Sequence, residues 1–306
     1  MITSRQIKDY AFSLGFDACG ICQAGEVDHG TQQSYEAWLG NSYNGSMDYM
    51  ERNVDKRYNP ALLVENARSV ICIAINYYPS VKQPVVNPQF AYYAYGKDYH
   101  DVVKKKLYAL LDYIKASEPK ANGRVFVDSA PVLEHYWAAK AGIGFVGKNS
   151  LLIVPKKGSF LFLGELIVDM ELEYDSPITT SCGNCTRCMQ ECPTQAIVEP
   201  GVVDSRNCIS YQTIENKGSI DGGVMPYLTN YIYGCDICQK ACPWNRYAEP
   251  HQTEEFDPSR AFLDLSSENL ENMTEEGFKS VFRGSAVKRI KYTGLKRNFE
   301  AWKQNK

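Results

Sequence analysis

The 306-residue chain contains no run of 18 apolar residues free of charge, and so no segment suited to cross a membrane as a helix. It also lacks an excess of either charge: 33 Lys and Arg stand against 36 Asp and Glu, a formal net charge of −3. A protein that grips nucleic acid over its whole surface would be basic, so only a local basic patch stays open. Histidine is scarce. There are four (His29, His100, His135, His251), and no two form the H-x-x-x-H pair of helical zinc sites. Met1 to Lys8 is polar and charged, without the apolar stretch and cleavage site of an export signal, so a cytoplasmic location is expected. With 44% hydrophobic and 23% charged residues, the composition is that of a globular protein long enough for a large core.

What the chain has in abundance is cysteine. There are 11, and eight of them, Cys182 through Cys242, fall in one short region. An odd total without an export signal argues against a disulfide framework and for bound metal. Cys182-x-x-Cys185-x-x-Cys188-x-x-x-Cys192-Pro193 is followed by Cys235-x-x-Cys238-x-x-x-Cys242-Pro243, with Cys208 between. This is the spacing of bacterial two-cluster ferredoxins, with the first cysteine of the second copy displaced. Three thiolates two residues apart wrap one 4Fe-4S cubane. The fourth, before the proline, points away and completes the other. The expected ligand sets are therefore Cys182, Cys185, Cys188 and Cys242 for one cluster, and Cys192, Cys208, Cys235 and Cys238 for the second. Zinc would need two separated pairs and would leave the third closely spaced thiol redundant. Cys19, Cys22 and Cys72 lie in apolar strand contexts and read as packing residues.

The first 175 residues alternate helical and strand patterns. Thr3 or Ser4 caps a helix carrying Ile7, Tyr10, Ala11 and Leu14 on one face, ended by Gly15. Strands are expected at Phe16–Ile21, at the β-branched run Ser69–Tyr77, and at Arg124–Asp128. Helices are expected at Met47–Arg57, Val102–Lys115 and Pro131–Ala141, and a hairpin at Ser150–Pro155 and Ser159–Asp169. From Asp175 to about Pro250 the chain turns to short loops, Gly, Pro and cysteine. Beyond it, Thr253–Glu276 is acidic and Gly277–Lys306 basic.

Gly142-Ile143-Gly144-Phe145-Val146-Gly147 matches G-x-G-x-x-G, but a helix precedes it and a strand follows, the reverse of a nucleotide-binding turn. These glycines are expected to end the helix and bring backbone close to a bulky ligand. Asp98-Tyr99-His100 begins like the cobalamin lower-ligand motif D-x-H-x-x-G, yet Val103 replaces its glycine, so histidine-ligated cobalamin is not supported. Asp128, at a strand end before Ser129-Ala130-Pro131, reads equally as a helix cap or as an active-site carboxyl. Glu134 reads as a solvated helix residue.

Val127–Ile153 (VDSAPVLEHYWAAKAGIGFVGKNSLLI), Gly158–Ile167, the cysteine layout, Tyr49-Met50-Glu51-Arg52 with Lys56-Arg57, Asn76-Tyr77-Tyr78-Pro79 and Tyr95–His100 together resemble the epoxyqueuosine reductases. These are cobalamin-dependent enzymes of the last step of queuosine synthesis in tRNA. The resemblance implies an α+β fold: a nitroreductase-like, reductive-dehalogenase-like cobalamin domain (1–175), a ferredoxin-like domain with two 4Fe-4S clusters (176–250) and a helical segment with a basic end (251–306). It implies a short form without most of a C-terminal HEAT-like domain. It also implies base-off cobalamin, lined by Arg57, Lys97, Tyr99, Asp128, Lys148, Asn149, Ser210 and Gln239. Asp128 is implied as the acid that protonates the opened epoxide, with its pKa raised by burial. The partners expected are the anticodon loop of epoxyqueuosine tRNA and an external donor such as flavodoxin or ferredoxin, acting on a monomer. Phosphate contacts are expected from Lys217, Lys288, Arg289, Lys291, Lys296 and Arg297, with Tyr292 as a base-stacking candidate. A ferredoxin-type electron-transfer protein and a reductive dehalogenase are the alternative readings. The large N-terminal region opposes the first, and the missing twin-arginine signal opposes an exported form of the second.

Overall fold

The computed structural model describes residues 2–305; Met1 and Lys306, the outermost residues of the expected segments, lie outside it. The framework runs in the order α1 (Ser4–Ser13), β1 (Ala18–Gln23), β2 (Ser69–Asn76), α2 (Tyr99–Ser117), β3 (Gly123–Phe126), α3 (Glu134–Lys140), β4 (Leu161–Val168) and, near the end, α4 (Lys291–Lys303). The four strands form one antiparallel sheet in the order β1-β2-β4-β3. Its helices lie on both faces, which is the α+β class expected.

That arrangement explains why β2 is apolar throughout rather than alternating. Ile71, Ile73 and Ile75 enter one core with Leu107, Leu110 and Ile114 of α2. Val70, Cys72 and Ala74 enter a second core with Trp137 and Ala138 of α3. A strand covered on both faces has no side left for water. Each fully buried Leu or Ile contributes about 1.5–3 kcal/mol. Thr3 closes a capping box with Gln6 at the start of α1, and Gly15 follows its end with φ +86°.

Two expectations fail for identifiable reasons. Met47–Arg57 is not one helix: Asn53 adopts φ +56°, separating a turn at Asp48–Met50 from the helix Val54–Tyr58. The hairpin at 150–169 does not form either. Leu152–Ile153 pairs with Phe145–Val146, and a single bridge, Val154 to Gly158, remains. Leu161–Val168 instead inserts between β2 and β3, where it finds ladder partners on both edges and cover on both faces.

The cysteine-rich region and the last segment share the main core. Tyr231–Tyr233 pairs in parallel with Gln89–Phe90, burying Ile232 and Tyr233 beside Phe90. Phe262, Phe278, Phe282, Leu295 and Phe299 join the same cluster. Asn298 of α4, with no exposed surface, donates to the carbonyls of Thr213 (2.7 Å) and Ile232 (2.8 Å), tying α4 to the cysteine-rich region. Among the described residues no helix is long and apolar enough to cross a membrane.

Candidate active site

One cleft of about 1880 Å³ opens between these segments. That is roughly twice the upper range of a pocket for a drug-sized ligand, and suits a large cofactor or part of a macromolecule. Its walls include Tyr35 and Trp38, Arg57, the segment Asp128–Tyr136, Cys208, Ser210 and Tyr211, and Lys288 with Arg289.

Asp128 follows β3 with φ +55°, and its side chain is half exposed to the cleft. One oxygen, Oδ2, accepts from the Tyr99 hydroxyl at 2.5 Å and lies 3.0 Å from His100 Nε2. The other ring nitrogen, Nδ1, lies 2.7 Å from Asp98 Oδ1. Asp98 caps α2, which places Tyr99 and His100 on its first turn, and the Tyr99 ring stacks flat on Phe162 of β4 at 4.3 Å. Burial would lower the pKa of His100, but its hydrogen bonds to Asp128 and Asp98 outweigh it and push it up to about 9. The ring is an imidazolium at neutral pH. For Asp128, burial raises the pKa, but the bonds from His100 and Tyr99 prevail and hold it below the ordinary carboxyl value. The expected raised Asp128 is therefore corrected: the carboxyl is ionised, and the mobile proton resides on His100.

The expected cofactor contacts divide. Arg57, Tyr99, Asp128 and Ser210 line the cleft; Lys97, Lys148, Asn149 and Gln239 are not part of its lining. Gln239 is buried and donates to the Ser159 carbonyl at 2.8 Å, and Lys148 donates to the Gly183 carbonyl at 2.8 Å, so both act in local structure. Arg57 is 7% exposed, donates to the Tyr49 carbonyl at 3.0 Å, and leaves its buried Nε without a partner. A buried guanidinium edge waiting for an acceptor in the wall of so large a cleft fits a bulky polar cofactor. Asn149 Nδ2 is likewise buried and unpartnered. Gly144 lines the cleft, and both Gly142 and Gly144 also lie tight against backbone: a Cβ on Gly142 would meet Ser176 O at 2.4 Å, and one on Gly144 would meet Ile153 O at 2.6 Å.

The thiols gather in two groups. Cys188 lies within electrostatic reach of Cys182, Cys242 and Cys185, whereas Cys238 lies within reach of Cys208 and Cys192, and Cys235 of Cys208 and Cys238. Cys238 also senses Cys188, so the groups adjoin. Four thiols apiece, without histidine or carboxylate, form the donor set of an iron–sulfur cluster. Cys208 itself lines the cleft. Cys22 and Cys72 are buried in the second core, as packing residues should be.

Comparison with known proteins decides the family. A family model described as epoxyqueuosine reductase QueG, DUF1730, matches residues 57–129, and one described as a 4Fe-4S double cluster binding domain matches residues 181–245. An epoxyqueuosine reductase of Cellulophaga algicola is 48% identical over 297 residues, 97% of either chain. This chain belongs to the epoxyqueuosine reductase family. The Escherichia coli epoxyqueuosine reductase is 41% identical over 96% of this chain and 79% of its own length. A crystal structure of epoxyqueuosine reductase with an epoxyqueuosine-modified tRNA-Tyr stem loop superposes with a TM-score of 0.91 at 30% identity, covering 98% of this chain and 80% of that one.

In this epoxyqueuosine reductase family member the basic residues also divide. Lys288 and Arg289 line the cleft, with Arg289 held bidentately by Glu215 at 2.7 and 2.9 Å. Arg297 instead donates to the carbonyls of Asn216, Gly218 and Gln212, and Lys296 to those of Leu270 and Glu271. Tyr292 donates to the Met273 carbonyl and packs on the core. These three tie α4 to its neighbours, and none of them lines the cleft. Lys217 and Lys291 are exposed outside the cleft.

Sequence reasoning missed His100 and Asp98 as a proton site, and it misjudged Glu134. Glu134 Oε1 accepts the Asp128 backbone N–H at 2.5 Å, and its carboxyl adjoins Glu165 of β4. An acid in the middle of the run Phe162-Leu163-Gly164-Glu165-Leu166-Ile167 was the available signal, since such residues are rarely buried unpaired.

Proposed function

We propose that this chain reduces epoxyqueuosine to queuosine in tRNA, the last step of queuosine synthesis, by removing the epoxide oxygen at the anticodon wobble nucleoside. The observation that carries this reading is the carboxyl of Asp128, bonded to Tyr99 and to the Asp98-backed ring of His100, in a cleft whose wall includes Cys208.

Cobalamin in its reduced cobalt(I) form supplies the nucleophile that opens an epoxide at carbon, and Arg57, Tyr99 and Ser210 are the wall residues that would hold it. For the base-off form, His100 would offer no ligand to the cofactor, since both of its nitrogens face carboxylates. Cys192, Cys208, Cys235 and Cys238 would hold the 4Fe-4S cluster beside the cleft, and Cys182, Cys185, Cys188 and Cys242 the outer one. The pair would supply electrons singly from an external carrier such as flavodoxin or ferredoxin.

The chain's own residues handle the proton. The opened oxygen is an alkoxide, far more basic than carboxylate, phenol or imidazole, so a raised Asp128 pKa is unnecessary. His100 gives its proton to Asp128 Oδ2, the carboxyl so formed hands that proton to the alkoxide, and Asp98 stabilises the imidazolium before the transfer. Tyr99 holds Asp128 in this pose. The modified base must leave the anticodon stack to reach the cleft, with Lys288 and Arg289 at its edge for phosphate. We place this activity in the cytoplasm and assign the chain as a monomer. A pure electron-transfer module would need neither the cleft nor the Asp128 centre.

The test is anaerobic incubation of the protein with cobalamin, reductant and epoxyqueuosine tRNA, followed by nucleoside mass spectrometry. Loss of one oxygen to give queuosine is expected. Asp128→Asn, purified with cofactors intact, should slow turnover by ~10²-fold or more. A wild-type rate in that variant would overturn the role of Asp128.

A further inference from the structure

Glu165 is a carboxyl that the reaction above leaves unused. It lies at the centre of β4, opposite Cys72 on β2 and Phe126 on β3, with no exposed surface. Neither of its oxygens has a hydrogen-bond donor. The face around it holds Trp137, Leu163 and Ile167, so an isolated carboxylate there would be severely destabilised. Its carboxyl partner is Glu134, which lines the cleft. Two carboxyls in contact, with no cation between them, retain a proton and titrate as a pair.

The groups facing the pair are Asp128, Tyr99 and His100 from the cleft side, and the thiols of Cys22 and Cys72 from β1 and β2. Burial, then the charge of Asp128, pushes Glu134 up to about 7, with the His100 charge opposing. Burial, then the charge of Glu134, pushes Glu165 well above the ordinary value.

Turning an epoxide into an alkene breaks both C–O bonds, forms the second carbon–carbon bond and releases the oxygen as water. Two electrons and two protons are consumed. The His100–Asp128 centre holds one mobile proton. We propose that the Glu134–Glu165 pair is a second proton store, from which Glu134 delivers the proton that completes the water molecule. This rests on the proposed reduction, whose two electrons come from the external one-electron carrier. Glu134 is the group facing the reacting atoms. Glu165 is a positioning residue that keeps the proton at Glu134, and the pair reloads from solvent once product leaves. The bond from the Asp128 N–H to Glu134 Oε1 fixes both proton sources on one loop.

The test uses the holoenzyme. At pH 8 its infrared spectrum should contain a protonated-carboxyl C=O stretch that Glu165→Gln removes. Glu134→Gln keeps an acceptor for the Asp128 N–H but holds no proton to give, and should turn over ~10²-fold more slowly. Glu134→Ala should regain part of its rate with added acetate, which a merely structural role would not allow. Absence of the band, or a wild-type rate in Glu134→Gln, overturns the proposal. A wild-type protein that shows the band but leaves the epoxide intact would overturn the functional reading and the delivery step with it, while upholding the buried proton.

Discussion

Replacing Asp128 with Asn also tests the electrostatics of the site, through a readout other than turnover. The Asp128 carboxylate lies 3.0 Å from His100 Nε2 and is half exposed, so an effective dielectric between that of a protein surface and water applies. With ε of ~40–80, the attraction is about 1.4–2.8 kcal/mol, which places the expected fall in the His100 pKa at about one to two pH units. Asp98, at 2.7 Å on the other nitrogen, stays in place and keeps the ring from returning fully to its ordinary value. The assay is an NMR titration of imidazole signals, tractable because the chain has four histidines. The wild-type His100 signal should titrate near 9. Linkage supplies an independent reading. The folded pKa lies above the unfolded 6.5, so the native state binds the extra proton between 6.5 and about 9. The stability it contributes is fully present below 6.5 and is lost as pH rises through about 9. In Asp128→Asn that decline should be shallower and finish at lower pH. A wild-type His100 titrating near 6.5, or a variant whose titration is unmoved, would refute the argument that Asp128 loads the ring.

Cys208→Ser should remove one cluster and spare the other, halving iron and acid-labile sulfide while the remaining cluster keeps its electron paramagnetic resonance signal on reduction; loss of all iron would contradict two independent thiol sets. Lys288→Ala should weaken binding of a tRNA stem loop and flatten its salt dependence by ~0.7–0.9 in log–log slope, as for one lost phosphate contact. Lys296→Ala, whose ammonium is engaged by the Leu270 and Glu271 carbonyls, should leave that slope unchanged and lower the unfolding midpoint instead.

Much of this architecture was legible in residue patterns, and the exceptions have physical causes. The run at β2 and the helical spacing of α2 were readable because each carries a dense local signal, a β-branched stretch in one case and a 3.6-residue stripe in the other. The cysteine spacing was readable because cluster ligation constrains neighbours in sequence. The 150–169 hairpin misled because a turn signal at Lys156–Gly158 says nothing about which distant strand competes for Leu161–Val168. Asn53 broke a helix with a left-handed residue that periodicity does not register. Glu134 looked solvated because the opposing wall, Glu165, arrives 31 positions later in the chain. Arg297 and Lys296 looked like phosphate ligands because charge in a sequence does not reveal which backbone carbonyls have already claimed it.

The cleft draws its walls from residues as far apart as Asp28 and Arg289. During synthesis the wall around Tyr35, Arg57 and Asp128 leaves the ribosome first, while Cys208, Tyr211 and Arg289 are still to be made. Contacts of such long sequence separation form late and slowly. Maturation therefore has a built-in order: the cysteine-rich region and α4 must settle against Phe90 and Thr213 before the chamber is complete.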